Sequence, residues 1–326
     1  MTRTLAPHHP LLPLAAAAVT VVLWASAFVG IRAVGHDLSP GALALGRMLV
    51  GSLTLTVIVA AVRARSGRRG RIPAPLPRGR LLVAVAVWGT AWFGLYNIAL
   101  NAAGRHLDAG TSALLVNIAP VVVAVLAGLL LGEGFPARLL AGIAVAFTGV
   151  ALIAVTTSTG GDLTGVLLGL LAAFTYAGAA TGQKRLLVRI DPLTVTWVGA
   201  AAGTVALLPF APRLVAELAD APGPAIAGAV YLGVFPTAIA FLTWGYALSR
   251  TSAGRLTAST YAVPPLVVAM SWTLLGEVPA VLALVGGAVC LAGVAIATGR
   301  GFQRATGSSV PDTPVPASTG RPTPGA

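Results

Sequence analysis

Residues 117–153 read NIAPVVVAVLAGLLLGEGFPARLLAGIAVAFTGVALI, and residues 261–297 read YAVPPLVVAMSWTLLGEVPAVLALVGGAVCLAGVAIA. Across both stretches the only charged residues are Glu133, Arg138 and Glu277. Each consists of two apolar runs joined by a short turn containing Gly and Pro, Gly132–Pro136 in the first and Gly276–Pro279 in the second. Apolar runs of about 20 residues are long enough to cross a bilayer as helices. A shift of 144 superposes Pro120 on Pro264, Gly132 on Gly276, Glu133 on Glu277, Gly142 on Gly286 and Gly149 on Gly293. The same shift carries Gly89 onto Gly233 and Ala109 onto Ala253. Nearer the N-terminus the shift is 152, pairing Trp24 with Tyr176, Arg32 with Lys184 and Pro40 with Pro192. The longer basic loop 63–79 of the first half accounts for the difference.

The rest of the chain extends this pattern. Ten candidate spans follow from the apolar runs: 11–34, 40–62, 80–102, 109–131, 137–157, 163–183, 193–211, 224–248, 256–275 and 280–299. The expected fold is an all-α membrane protein of ten transmembrane helices in two inverted five-helix repeats. Residues 1–10 form a cytoplasmic N-terminus, 11–157 the first repeat and 163–299 the second. The segment 300–326, rich in Pro, Thr, Ser and Gly, cannot bury a core and is expected to be a disordered cytoplasmic tail. The start of the chain also resembles a signal peptide, with Arg3 and an Ala25-Ser26-Ala27 cleavage pattern. Its basic region is weak, however, the apolar run continues to Ile31, and the repeat requires this helix.

Composition points the same way. Of 326 residues 56% are hydrophobic and 9% charged, against roughly 25% charged in a soluble domain. The net charge of +12 does not imply a nucleic-acid partner, because the basic residues sit between apolar runs, where they set orientation. All of the 21 basic residues except Lys184 are Arg, which together with the Ala and Gly content suggests a GC-rich bacterium. With Cys290 the only cysteine, there is no intrachain disulfide and no cysteine metal site. If the N-terminus is cytoplasmic, 17 Lys and Arg fall inside; Arg32, Arg105 and Arg213 fall outside, and Arg47 lies within a helix. That bias puts both termini in the cytoplasm of a multi-pass protein of the bacterial inner membrane. Five helices per half is an odd number, so the second half enters upside down. Inverted repeats of this kind suit alternating access.

The doubled pattern Pro120…Leu129-Leu-Leu-Gly-Glu133 and Pro264…Leu274-Leu-Gly-Glu277 resembles the EamA domain of the drug/metabolite transporter superfamily. Trp24-Ala-Ser-Ala-Phe28 is similar to that family's W-G/A-S/A-x-F opening, with Ala25 where Gly is commoner, and Arg47 matches a further family position. The resemblance covers 11–299 and implies a ten-helix permease, often an exporter of amino acids, other metabolites or toxic compounds.

Several residues are candidates for solute contact. Arg47, seven residues into the second span, is an ionisable group at membrane depth and so a functional candidate unless it snorkels or pairs with a carboxylate. Its second-half counterpart is Gly199. Asn117 and Tyr261 each precede a proline by three residues, where a kink frees backbone carbonyls; both could equally bond neighbouring helices. Trp24 and Tyr176 form an equivalent pair, and Trp92, Tyr96, Asn97 and Asn101 share the third span. Trp24, Tyr96, Asn97 and Tyr176 suit an amphipathic or aromatic solute, whereas Trp197, Trp272 and Tyr246 read as packing or interfacial residues. Glu133 and Glu277, with Pro120 and Pro264, read as structural turns in which each carboxylate faces a helix N-terminus. No proton-relay carboxylate is apparent near the middle of a span.

No P-loop, His/Cys metal spacing or Ser/His/Asp set is evident, so no enzyme, cofactor or metal is expected. The leading reading is a secondary transporter exporting small organic metabolites such as amino acids. Its rivals are a multidrug or toxic-compound efflux permease and a non-transporting membrane protein that keeps the fold. The partners expected are a small-molecule solute and the lipid bilayer, with a homodimer left open and no nucleic acid.

Overall fold

A computed structural model of the chain describes residues 11–68, 76–122, 125, 137–158, 163–251, 256 and 259–298. The whole turn 132–136 with Glu133, the N-terminal segment and the tail lie outside the described residues. Among the described residues every regular element is a helix. Hydrocarbon offers no partner for a peptide group, and a helix satisfies its own.

Among the described residues six helical stretches are long and apolar enough to cross a membrane: Leu11–Val34, Pro40–Arg68, Arg80–His106, Leu163–Leu187, Pro192–Asp220 and Gly223–Arg250. The first two are α1 and α2. The third contains α3 (Arg80–Gly89), a wide π-helical turn (Thr90–Leu95) and α4 (Tyr96–His106). After it come α5 (Ala109–Val116), α6 (Ala137–Ser158) and α7 (Leu163–Leu187). The fifth stretch is α8 (Pro192–Leu207), a 3-10 turn (Leu208–Phe210) and α9 (Ala211–Asp220). The sixth is α10 (Gly223–Leu232), a second π turn (Gly233–Ile239) and α11 (Ala240–Arg250), followed by α12 (Val263–Leu275) and α13 (Val281–Thr298). The four remaining expected spans correspond to shorter apolar helices, Ala109–Val122, Ala137–Ile153, Thr260–Leu275 and Val281–Ile296.

Local chemistry sets the boundaries. Asp108 accepts from the Thr111 amide at 2.8 Å and the Thr111 hydroxyl at 2.6 Å, starting α5. Asp191 accepts from the Thr194 amide at 2.9 Å, and Pro192 follows it at the first helical position. Both are N-caps, worth about 1 kcal/mol each. Gly276, at φ 68°, ends α12 in the left-handed conformation and lets the Glu277 amide reach Ser271 O at 3.3 Å. Pro120, lacking an N–H, is preceded by short-range bonds such as Ile118 N to Leu115 O. The equivalent stretch before Pro264 is the 3-10 turn Thr260–Ala262. α9 departs from the expected spans: the helix of the seventh ends at Leu207, and APRLVAELAD folds separately as an amphipathic helix with Leu214 buried.

Polarity is inverted relative to a soluble protein. Large apolar side chains such as Leu53, Val57, Val87, Leu167 and Trp272 are exposed, whereas Thr20, Arg47, Asn97, Asn101, Asn117, Gln183 and Thr237 are buried. An apolar periphery of this kind matches a lipid surround.

The tightest helix crossings are built on glycine. α6 and α13 meet so closely that a Cβ on Gly149 would strike Gly286 O, and one on Gly293 would lie 2.7 Å from Gly142 O. A Cβ on Gly89 would strike Gly199, and one on Gly233 would lie 2.6 Å from Arg47 O. Between α2 and α8 the hydroxyls of Ser52 and Thr204 bond at 2.8 Å, and Trp197 Nε1 donates to Thr56 Oγ1 at 2.9 Å. Small residues are what let membrane helices approach this closely.

Gly149→Leu should therefore force α6 from α13, at a cost on the order of 1–3 kcal/mol. The expected result is a lower melting temperature in detergent and a loss of monodisperse protein. Gly178→Ala, where a Cβ meets nothing within 4 Å, should leave both unchanged.

Candidate functional site

The aromatic residues converge on one place in the bundle. Trp24 on α1 lies 6.1 Å from Tyr176 on α7, 5.6 Å from Phe241 and 4.9 Å from Trp244 on α11, centroid to centroid. Trp92, in the first π turn, stands edge-on to Tyr176 at 5.6 Å and to Phe241 at 5.1 Å. Tyr96 lies 6.2 Å from Tyr176. Edge-to-face pairs of this kind add about 0.5–1.5 kcal/mol each beyond burial, so the cluster is a rigid wall.

Beside it is a cavity of about 40 Å³ lined by Trp24, Phe28, Tyr96, Val116, Asn117, Pro120, Tyr176, Thr260 and Val263. Four of the seven expected contact residues, Trp24, Tyr96, Asn117 and Tyr176, line this cavity. Tyr261 follows the lining residue Thr260 in the same 3-10 turn. A space this size admits about one water, far less than a metabolite. A larger crevice of about 480 Å³ lies among α5, α12 and α13, lined by Leu114, Pro264, Trp272, Leu291 and other apolar residues. Its lining is almost wholly apolar and it opens at exposed Trp272, so it is not the candidate site.

The remaining two expected residues are placed differently. Asn97 turns its amide back onto its own helix, donating to Trp92 O at 3.3 Å and Phe93 O at 3.0 Å. It thereby closes the carbonyls that the π turn frees. Arg47 is 4% exposed, and its Nε and Nη2 both donate to Thr237 Oγ1, at 3.3 and 3.0 Å. Thr237 lies in the second π turn and itself donates to Leu232 O at 2.7 Å. Nη1 of Arg47 has no partner, nor do the buried Tyr176 hydroxyl, Trp92 Nε1 and the Oδ1 atoms of Asn97 and Asn101. An unpaired buried cation costs several kcal/mol, so Arg47 is an expensive residue to keep for packing alone.

At the end of the bundle where α1 leads into α2, two carboxylates reach between distant parts of the chain. Glu277, in the turn after α12, takes Arg32 Nε at 2.9 and 3.2 Å, while Arg32 Nη1 donates to Gly104 O at 3.3 Å. Glu217 on α9 accepts from the Ser39 amide at 2.7 Å, at the start of α2, and from Arg213 at 2.8 Å. Glu277 thus pairs with a cation 245 positions away, a role beyond the turn expected of it. Sequence reasoning did not find Arg32, Glu217 or Thr237. A signal existed for the first: each repeat ends its first helix on a cation, Arg32 or Lys184, and carries one Glu in its last turn. Trp197 and Tyr246 lie under Arg63 and Arg250 as cation–π partners, apart from the cavity.

Comparison with known proteins gives these positions a context. The EamA-like transporter family matches twice, over residues 11–155 and 163–299. The chain is 39% identical over 293 residues to a probable terminal-alkyne amino-acid exporter of Streptantibioticus cattleyicolor, covering 90% of this chain and 95% of that one. It is 34% identical to the uncharacterized transporter YdfC of Bacillus subtilis, covering 83% and 86%. A probable amino-acid metabolite efflux pump of Salmonella typhimurium is 26% identical, with 86% and 92% covered. One crystal structure shares the fold at a TM-score of 0.57 and 19% identity, covering 88% of this chain and 96% of its own.

Thr237→Val removes the oxygen that accepts from the Arg47 guanidinium and should cost about 1–3 kcal/mol, the penalty of an orphaned buried donor. Thr237→Ser keeps the hydroxyl and should melt near the wild type. Thermal denaturation of both variants in detergent distinguishes these outcomes.

Proposed function

The chain belongs to the EamA-like transporter family, and we propose that it is a secondary exporter of small amino-acid-class metabolites. The observation that carries this reading is the 39% identity, over nearly the full length of both chains, to a probable terminal-alkyne amino-acid exporter. The aromatic cavity among Trp24, Tyr96, Asn117 and Tyr176 supports it, because an apolar wall with a few polar groups suits an amino acid with an apolar side chain. Among the lining residues there is no carboxylate, which disfavours the rival assignment to cationic drugs.

The proposed mechanism is alternating access between two inverted five-helix halves, 11–157 and 163–299. Residues equivalent under the sequence shifts touch one another: Ser52 with Thr204, and Trp24 with Tyr176. Others exchange partners, Gly149 meeting Gly286 while Gly293 meets Gly142. That exchange makes α6 and α13 antiparallel. Antiparallel equivalents in contact support the inverted-repeat reading, in which an axis perpendicular to both helices would lie in the membrane plane. The paired π turns, Thr90–Leu95 and Gly233–Ile239, fall at matching positions and support the same relation.

In this reading the charge bias sets both termini in the cytoplasm of a bacterial inner membrane. The Arg32–Glu277 and Ser39–Glu217 contacts then bind the halves at the outer face and must release when the site opens outward. The 40 Å³ cavity must widen for any solute to enter.

Purified protein in lipid vesicles should move apolar amino acids, measured as efflux of radiolabel with and without a pH gradient. Trp24→Ala and Tyr176→Ala should each slow it about tenfold, the equivalent of about 1.4 kcal/mol. Folded protein that moves no amino acid in either condition would rule out this function.

A further inference from the structure

Arg47 is the only charged residue among the described residues that are buried. The two ion pairs found among the described residues, Arg32–Glu277 and Arg213–Glu217, lie elsewhere. Arg47 is held by a neutral hydroxyl, and its Nη1 is free. Arg47 lies on α2, which packs against α4, the helix that carries the cavity wall Tyr96. The guanidinium therefore stands on the helix next to the cavity wall, fixed at two nitrogens and buried without a partner at the third. A planar guanidinium matches a carboxylate in geometry as well as charge. No fixed anion is present in the cavity lining to select an ammonium group.

We propose that Arg47 supplies the carboxylate anchor of the transport site, so that the substrate class is set by a carboxylate next to an apolar side chain, the amino group being dispensable. This anchor rests on the exporter reading and sharpens it. As the halves part and the Tyr96 side chain, on the same half as Arg47, turns aside, the solute carboxylate takes Nη1, and the buried charge gains the counter-ion that the described part of the chain does not supply. Thr237, which belongs to the second half, holds Nε and Nη2 in the closed arrangement and frees them for the carboxylate as the halves part. The apolar tail meets Trp24, Phe28 and Tyr176.

The test uses four probes sharing one side chain: leucine, 2-hydroxy-4-methylpentanoate, leucinamide and isoamylamine. Each is assayed for its shift of the melting temperature of the purified full chain, and for inhibition of leucine efflux from vesicles. Leucine and the hydroxy acid should act within about tenfold of each other, and the amide and amine about a hundredfold more weakly. That gap is about 2.8 kcal/mol at 1.4 kcal/mol per decade. Arg47→Gln should abolish the preference for the acids. Arg47→Lys keeps the charge and should retain the preference with weaker binding. Equal action by amide and acid, or an unchanged preference in folded Arg47→Gln, overturns the anchor and leaves the exporter standing. No shift and no efflux with any probe overturns the exporter reading and the anchor together. The wild-type series decides the preference even where a variant does not fold.

Discussion

Gly149 and Gly286 meet with backbone against backbone, as do Gly89 and Gly199, and the architecture hangs on contacts of this kind. Lipid tails are as apolar as leucine side chains, so burial supplies little force between helices in a bilayer. Dispersion and directed hydrogen bonds must hold the bundle, and both need close approach. A chain with 39 glycines in 326 residues can bring helices together where side chains would otherwise keep them apart. The hydroxyl pairs Ser52–Thr204 and Thr20–Thr243, at 2.8 and 2.7 Å, lie at similar crossings and use the proximity.

The same closeness shapes the site. With α2 and α10 drawn together at Gly233, the second π turn lies over Arg47, and Thr237 can reach both nitrogens of the guanidinium. A π turn adds a residue to the helix circumference and breaks the regular bonding ladder. Asn97 and Thr237 each donate to a carbonyl five residues back, Trp92 O and Leu232 O, closing the gap from the side chain. The wide turns thus carry candidate site residues, Trp92 in the first and Thr237 in the second.

Much of the fold is legible in the sequence because its signals are local. Asp108, Pro192 and Gly276 mark helix ends through chemistry that needs only a few neighbouring residues, and apolar run length marks the helices. The aromatic half of the site is legible too, since the shift of 152 pairs Trp24 with Tyr176 and the two rings lie side by side in the bundle. Other features depend on distant partners. TAWFGL reads as ordinary helix, but it folds as a wide turn whose Phe93 packs on Gly203, a partner far off in sequence. Asn97 has the residue type of a ligand contact, but its amide is consumed by that turn. Arg32 and Glu277 are 245 positions apart, so nothing local marks them as partners.

The two halves match in backbone more closely than in chemistry. Gly233 packs on the carbonyl of Arg47, and its counterpart Gly89 packs on the carbonyl of Gly199, so the crossing is kept while the side chain is not. A cation at both positions would set two like charges near one cavity, each buried at a cost of several kcal/mol and each repelling the other. One cation in one half avoids that repulsion and gives a bound carboxylate a single partner. In the proposed alternation that partner travels with the first half, while Tyr176 and Thr260 travel with the second. A solute held at Arg47 would keep its charge paired through the transition and exchange only its apolar contacts. Those contacts are non-directional, so they can be remade as the halves move without passing through a state in which a carboxylate is bare in the membrane.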